Sequence, residues 1–160
     1  MEIKLVKAKE SDAKSIFNLQ VAAFQPLLEK YQDYDTSPAN ESIEKVASRI
    51  IRPDSEFFKI FVDGEFCGAI RVHWKEESQF WISPLFIHPD FQGQGIAQEA
   101  MKLAEDSFPQ ADTWELATLL EEEGNCYLYE KAGYVRTGVS RKLNSKATLV
   151  YFKKMQKEVE

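Results

Sequence analysis

The chain has 160 residues with a formal net charge of −6; 44% of the residues are hydrophobic and 29% are charged. This composition is typical of a globular protein with a core of ordinary size, so we predict one domain over residues 1–160. The acidic balance argues against nucleic-acid binding, which needs a basic patch, and suits either a cationic substrate or simple solubility. No apolar stretch has the length of a membrane span or a signal peptide, so we expect a cytoplasmic protein without a membrane partner.

The first half of the chain predicts one strand, two helices and then three antiparallel strands. Alternating and helical spacings place a strand at 2–7 and helices at about 11–29 and 40–51. Asp63-Gly64 stands between two β-rich runs and predicts a tight hairpin, because a type I′ turn needs positive φ. A further strand is expected at about 79–87.

The second half predicts alternating helices and strands and a closing hairpin. The expected elements are a helix of about 94–107, a strand at 113–119, a short helix from Gly124 to Gly133, and two strands within 134–155. The resulting order is β-α-α-β-β-β-α-β-α-β-β. It predicts an α/β fold of the α+β type, with a mixed sheet of about seven strands and about four helices on both faces.

The segment "LFIHPDFQGQGIAQEAM" joins a strand to a helix through two glycines, Gly93 and Gly95. Glycine lets the backbone approach a ligand closely, and the first N–H groups of a helix lack intrahelical partners. The helix dipole adds partial positive charge at the same place. The segment therefore predicts a site for a phosphate or pyrophosphate group that needs no basic side chain.

Three known phosphate-binding patterns compete for this segment, beside a plain glycine turn that starts a helix. The P-loop is excluded because no lysine follows the glycines at the required place. The dinucleotide fingerprint fails at Gln98, and the loop follows an antiparallel meander instead of a first βα turn. The third pattern, [RQ]-x-x-G-x-[GA], is matched by Gln92, Gly95 and Ala97.

A second motif follows about 30 residues later, at "GNCYLYEKAGYV" (124–135). The two motifs, in this order and within this succession of elements, resemble the GNAT (GCN5-related N-acetyltransferase) family. The resemblance covers most of the chain. It implies an N-acetyltransferase that uses acetyl-CoA as cosubstrate and needs no metal. Cys67 and Cys126 match no zinc spacing either.

The resemblance implies an acetyl-CoA site made of a splayed strand and the glycine loop. The pantetheine arm would pair with the strand Ile82 to Ile87, and Pro84 suits an interruption of sheet pairing there. Asn125 resembles the asparagine that bonds the pantetheine arm, although a plain N-cap is the alternative. The implied cofactor-binding residues are Leu85, Phe86 and Ile87 for pantetheine, and Gln92, Gly93, Gln94, Gly95, Ile96 and Ala97 for pyrophosphate.

The resemblance also implies direct acyl transfer to a primary amine in a ternary complex. Tyr129 matches the tyrosine whose hydroxyl faces the CoA sulfur, where a phenol with a pKa of about 10 can protonate a thiolate. Tyr127 and Tyr134 are expected to be core aromatics instead. His73 and Glu115 are the candidate bases, beside a route through water alone.

The resemblance implies that the acceptor pocket borders the segment that joins the first two helices. Its aromatic rings and carboxylates suit a cationic amine, either a small molecule or a peptide or protein amine, and the alternative is a solvated loop. The candidate residues are Tyr31, Asp33, Tyr34 and Asp35. A rival function is a non-catalytic acetyl-CoA sensor or interaction module. The closing hairpin offers an edge for pairing between subunits, so a homodimer is left open.

Overall fold

A computed structural model describes residues 1–156, which form seven strands and four α-helices in the predicted order. The α/β fold class and the mixed sheet are confirmed. The elements are β1 Ile3–Lys7, α1 Ala13–Tyr31, α2 Ile43–Ile51, β2 Ser55–Val62, β3 Glu65–Glu76, β4 Gln79–Ile87, α3 Ile96–Ser107, β5 Thr113–Leu119, α4 Glu123–Lys131, β6 Val135–Lys142 and β7 Thr148–Met155.

Helix boundaries differ from the prediction where local turns intervene. The first helix runs on to Tyr31 and accommodates Pro26 in its interior. The second begins at Ile43, because Pro38–Asn40 form a short 3₁₀ helix and the Ser42 hydroxyl accepts a bond from Lys45 N. Among residues 1–156, no helix is long and apolar enough to cross a bilayer.

The sheet has the strand order β1-β2-β3-β4-β5-β7-β6. The predicted turn at Asp63-Gly64 is present, with φ of 49° and 85°. The last strand enters the sheet between β5 and β6, so the closing hairpin contributes the edge strand β6. Within residues 1–156, β4 and β5 form the only parallel pair.

The two faces of the sheet carry separate cores. Helices α3 and α4 pack on a core that includes Ile70, Phe80 and Trp114. Helices α1 and α2 pack on the opposite face over Phe57 and Phe86. The centre of the sheet, where β4 meets β5, is therefore reached from both layers of helices.

Candidate active site

The site is built around a splay between β4 and β5. The two strands pair only from Gln79 to Trp81 on β4, opposite Thr113 to Glu115 on β5. Beyond Trp81 the side of β4 that faces β5 has no partner strand within residues 1–156. The backbone of Ile82–Ile87 is thus available on this side to an extended ligand, as the resemblance implied.

A bulge turns β4 at the start of the splay. Ile70 pairs with Leu85 and Val72 with Ile82, so Ser83 and Pro84 together stand opposite Arg71. The buried Arg71 guanidinium donates to the Ser83 carbonyl at 3.0 Å. This bond holds the bulge in place and accounts for the interruption that Pro84 suggested.

Gly68 lets β3 approach the end of β4. A Cβ at this position would lie 2.3 Å from the Phe86 carbonyl oxygen and 3.2 Å from Ile87 Cα. Any larger side chain would therefore push β4 away at Phe86 and Ile87, two of the three residues that were predicted to meet pantetheine. Sequence reasoning missed this glycine, because its importance depends on a contact between strands.

A cavity of about 620 Å³ opens at the splay. Its walls come from α1, the end of β4, the glycine loop and the start of α4. Ten of the predicted site residues line it, namely Leu85, Phe86, Ile87, Gln92, Gly93, Gly95, Ile96, Ala97, Asn125 and Tyr129. The structure thus brings the two sequence motifs to one cavity, although they are about 30 residues apart.

The glycine loop has the backbone that its sequence requires. Gly93 and Gly95 have φ of 78° and 79°, and a Cβ at either position would point into open space. The following helix begins at Ile96 with Gly95 as its N-cap, which corrects the expected start at about Gln94. Gln94 is also absent from the lining of the cavity. The loop leaves room for a phosphate beside free helix N–H groups.

The uncharged side chain of Gln92 bonds the backbone and so supports the loop. Its side-chain amide donates to the Ile87 carbonyl at 2.9 Å and so ties the loop to the end of β4. Among the residues that line the cavity, only Lys30 and Glu122 are charged, and they lie near each other. The loop itself therefore offers backbone N–H groups and no cation, and its binding of pyrophosphate stays a prediction.

Tyr129 presents its ring to the cavity. The ring packs edge-on against Phe152 at 6.0 Å, and within residues 1–156 its hydroxyl has no hydrogen-bond partner. Burial, and secondarily Cys126, raises the pKa of Tyr129 to about 12. The hydroxyl is thus a weaker acid than the sequence suggested and keeps its proton throughout the neutral range.

Of the two tyrosines that were predicted to lie in the core, Tyr134 does and Tyr127 does not. Tyr134 is buried and its hydroxyl donates to Glu105 Oε2 at 2.8 Å, as expected of a core residue. Tyr127 is 67% exposed, so its assignment to the core was wrong. It lies on the outer side of α4, whereas its neighbours in sequence, Cys126 and Leu128, face the core.

Sequence reasoning missed a polar group at the mouth of the cavity. Glu122 is the N-cap of α4, and its Oε2 accepts bonds from the Tyr31 hydroxyl and from Lys30 Nζ. Asn125 lies in the first turn of the helix and is therefore not its N-cap. The hydrogen bonds to Tyr31 and then Glu122 raise the pKa of Lys30, so this lysine stays protonated and is no proton acceptor.

The predicted acceptor residues do not come together at the cavity, and none of Tyr31, Asp33, Tyr34 and Asp35 lines it. Tyr31 is buried and holds Glu122 in place. Tyr34 is 57% exposed, whereas burial raises the pKa of Asp33. The structure therefore gives Tyr31 a supporting role and leaves contact with the acceptor a prediction for the other three.

The two candidate bases lie on β3 and β5, on either side of β4, and neither of them lines the cavity. Burial, with a second contribution from Arg71, lowers the pKa of His73 to about 4. A base this weak does not take a proton from an alkylammonium ion, so the structure argues against His73 in that role. Glu115 stands opposite Trp81 in the last strand pair before the splay.

The sequence of residues 13–134 matches the Acetyltransferase (GNAT) family. The chain belongs to the GNAT acetyltransferase family. It is thus an acetyl-CoA-dependent N-acetyltransferase by family, which confirms the predicted enzyme class. A curated relative, the uncharacterised protein YrkN of Bacillus subtilis (strain 168), is 28% identical over 136 residues, which cover 83% of this chain and 73% of YrkN.

Solved N-acetyltransferases share the fold of this GNAT protein. The spermidine N-acetyltransferase of Vibrio cholerae in complex with CoA and spermine has a TM-score of 0.76 at 18% identity, covering 96% of this chain and 95% of that one. The PaiA N-acetyltransferase of Thermoplasma acidophilum in complex with coenzyme A has a TM-score of 0.77 at 17% identity, covering 97% and 99%. The ribosomal-protein-S18-alanine N-acetyltransferase of Escherichia coli has a TM-score of 0.78 at 12% identity, covering 99% and 97%.

Proposed function

We propose that this protein transfers the acetyl group of acetyl-CoA directly to a primary amine while both substrates are bound. The observation that carries the proposal is the splay between β4 and β5, which opens onto one cavity that contains both the glycine loop and Tyr129. Acetyl-CoA supplies the acetyl group as an activated thioester. A cytoplasmic location and a homodimer stay predictions.

The cofactor would lie along the splay with its pyrophosphate at the glycine loop. The unpaired edge of Leu85–Ile87 would bond the pantetheine amides as an added strand does. The N–H groups of Gly93, Gly95 and the first turn of α3 would hold the pyrophosphate. Asn125 lines the same cavity and would bond the pantetheine arm from α4.

The chemical roles fall to backbone groups and to Tyr129. A backbone N–H of β4 near Phe86 would polarise the acetyl carbonyl as the amine attacks the carbon. The carbon–sulfur bond then breaks, and the Tyr129 hydroxyl donates to the sulfur on which negative charge develops. As the amide forms, its nitrogen loses a proton to water, and this loss balances the proton that the CoA thiol gains. The attacking amine must be neutral, so it loses its excess proton to water or to a base before the bond forms.

A non-catalytic acetyl-CoA sensor is the rival, and Tyr129 favours the enzyme. A sensor has no need of a proton donor in its binding cavity, whereas the Tyr129 hydroxyl lies there without a partner among residues 1–156 and is free to meet the CoA sulfur. The hydroxyl of Tyr134 by contrast is fully engaged with Glu105.

Acetyl-CoA is expected to raise the melting temperature of the protein, whereas NAD and ATP are not. In the presence of the enzyme, amines are expected to release free thiol from acetyl-CoA. A ligand that binds the folded state and not the unfolded state stabilises the protein by mass action, by about 2.7 kcal/mol at a hundredfold excess over Kd. The measurements are thermal melts and a thiol-release assay over a panel of small amines and peptides. Tight acetyl-CoA binding without turnover of any amine would favour the sensor, and no binding would refute both functions.

A further inference from the structure

A row of side chains crosses the sheet at the vertex of the splay, on the face that carries α1 and α2. Residues that stand opposite each other in neighbouring strands point to the same face. His73 pairs with Trp81, and Trp81 pairs with Glu115. His73 in turn pairs with Ser55, whose hydroxyl bonds the Arg49 carbonyl at the end of α2, so this face is the one that α2 covers.

Aromatic rings flank Trp81 on this face. His73 stacks on it with ring centroids 6.4 Å apart and an interplanar angle of 17°. Tyr151 of β7 meets it edge-on at 6.5 Å and 83°. Tyr151 stands opposite Ala117, so its ring reaches Trp81 across β5 above a small side chain. All three rings are partly exposed.

Glu115 lies within this aromatic group as a carboxylate without a partner. It is partly buried, and within residues 1–156 it accepts no hydrogen bond and forms no ion pair. Lys153 is its cross-strand neighbour on β7 but is exposed and makes no bridge to it. His73 cannot neutralise it either, since burial lowers the pKa of His73 to about 4. Three arginines also lie near His73, and each has another partner: Arg71 donates to the Ser83 carbonyl, Arg52 pairs with Asp54 and Arg49 pairs with Glu41.

Partly desolvated aromatic faces beside an unpaired carboxylate are the groups that proteins use to hold an organic cation. The pair Trp81–Glu115 is also the last before the strands part, so these groups adjoin the vertex of the splay. We propose that Trp81, Glu115 and Tyr151 form the acceptor site and that they select an amine that arrives as an alkylammonium cation. This inference rests on the proposed acetyl transfer, because it places the acceptor beside the acetyl group.

The experiment compares two acceptors that differ in charge at neutral pH. Butylamine is a cation there, whereas the nitrogen of aniline is uncharged. Glu115→Gln is expected to raise the KM for butylamine about tenfold and to leave the KM for aniline unchanged, since a charge-assisted contact is lost only for the cation. Trp81→Leu is expected to raise the KM for butylamine severalfold. Glu77→Gln, an exposed carboxylate after the end of β3, is the control with the same change in charge.

Saturation-transfer NMR with butylammonium chloride measures the same contact without turnover. A butylammonium signal that disappears in Glu115→Gln and persists in Glu77→Gln supports the site. If that pattern is found but no acetyl transfer occurs, the missing transfer counts against the proposed function and not against the site. A lower kcat for both amines at unchanged KM would make Glu115 a base and overturn the proposal. Equal effects of Glu115→Gln and Glu77→Gln, or unchanged butylammonium binding in both Glu115→Gln and Trp81→Leu, would overturn it as well.

Discussion

Replacement of Tyr129 by phenylalanine is expected to lower kcat at least about a hundredfold while the KM for acetyl-CoA changes little. The substitution removes only the hydroxyl, which has no partner in the described residues, and keeps the ring that packs on Phe152. The loss should therefore fall on the departure of the thiol and not on binding or folding. The measurement is steady-state thiol release at saturating acetyl-CoA.

Tyr127→Phe is the matched control, because this tyrosine is two residues away and 67% exposed. Its kcat should equal that of the unmodified enzyme. The pH profile gives a second control: Tyr129 acts in its protonated form, which is lost only as the pH rises through its pKa of about 12. No alkaline decline of kcat is therefore expected below about pH 10. A Tyr129→Phe enzyme with undiminished kcat would remove Tyr129 from the reaction.

Gly95→Val is expected to weaken acetyl-CoA binding at least about tenfold. Valine places a branched side chain in the open space beside the first N–H groups of α3, where the pyrophosphate would lie. It also strains the backbone, because φ is 79° at this position. Binding is measured by isothermal titration calorimetry, and folding by circular dichroism.

Gly138→Val separates the two effects, since Gly138 has φ of 87° and equally open surroundings but lies in the edge strand β6. It should suffer a comparable strain, about 1–2 kcal/mol, without loss of affinity. If valine prevents folding, the pair Gly95→Asn and Gly138→Asn repeats the comparison, because asparagine tolerates positive φ. Equal affinity in a folded Gly95 variant and its Gly138 counterpart would show that the loop does not bind the pyrophosphate.

Local features of this fold could be predicted from the sequence, because their causes lie within a few residues. The positive φ of Gly93 and Gly95 follows from the need for glycine in the loop before α3. The bounds 79–87 for β4 and 113–119 for β5 follow from short β-rich runs between turn residues. The family resemblance then placed Tyr129 and the end of β4 at one site.

Features that depend on contacts between distant segments could not be predicted. Lys30 and Glu122 are 92 residues apart, and no periodicity relates them. The hairpin sequence predicts that β6 and β7 pair with each other, but it does not say which of the two pairs with β5. His73 seemed a suitable base only at its ordinary pKa, which burial and Arg71 lower in the folded chain.

Hydrogen–deuterium exchange with and without acetyl-CoA tests the central claim most directly, because it reports backbone N–H groups one segment at a time. The account predicts slower exchange in peptides that cover Leu85–Ile87 and Gly93–Ala97, with unchanged exchange in β6. Protection confined to other surfaces, such as the groove lined by Lys102 and Lys131, with none at the splay or the glycine loop, would contradict it.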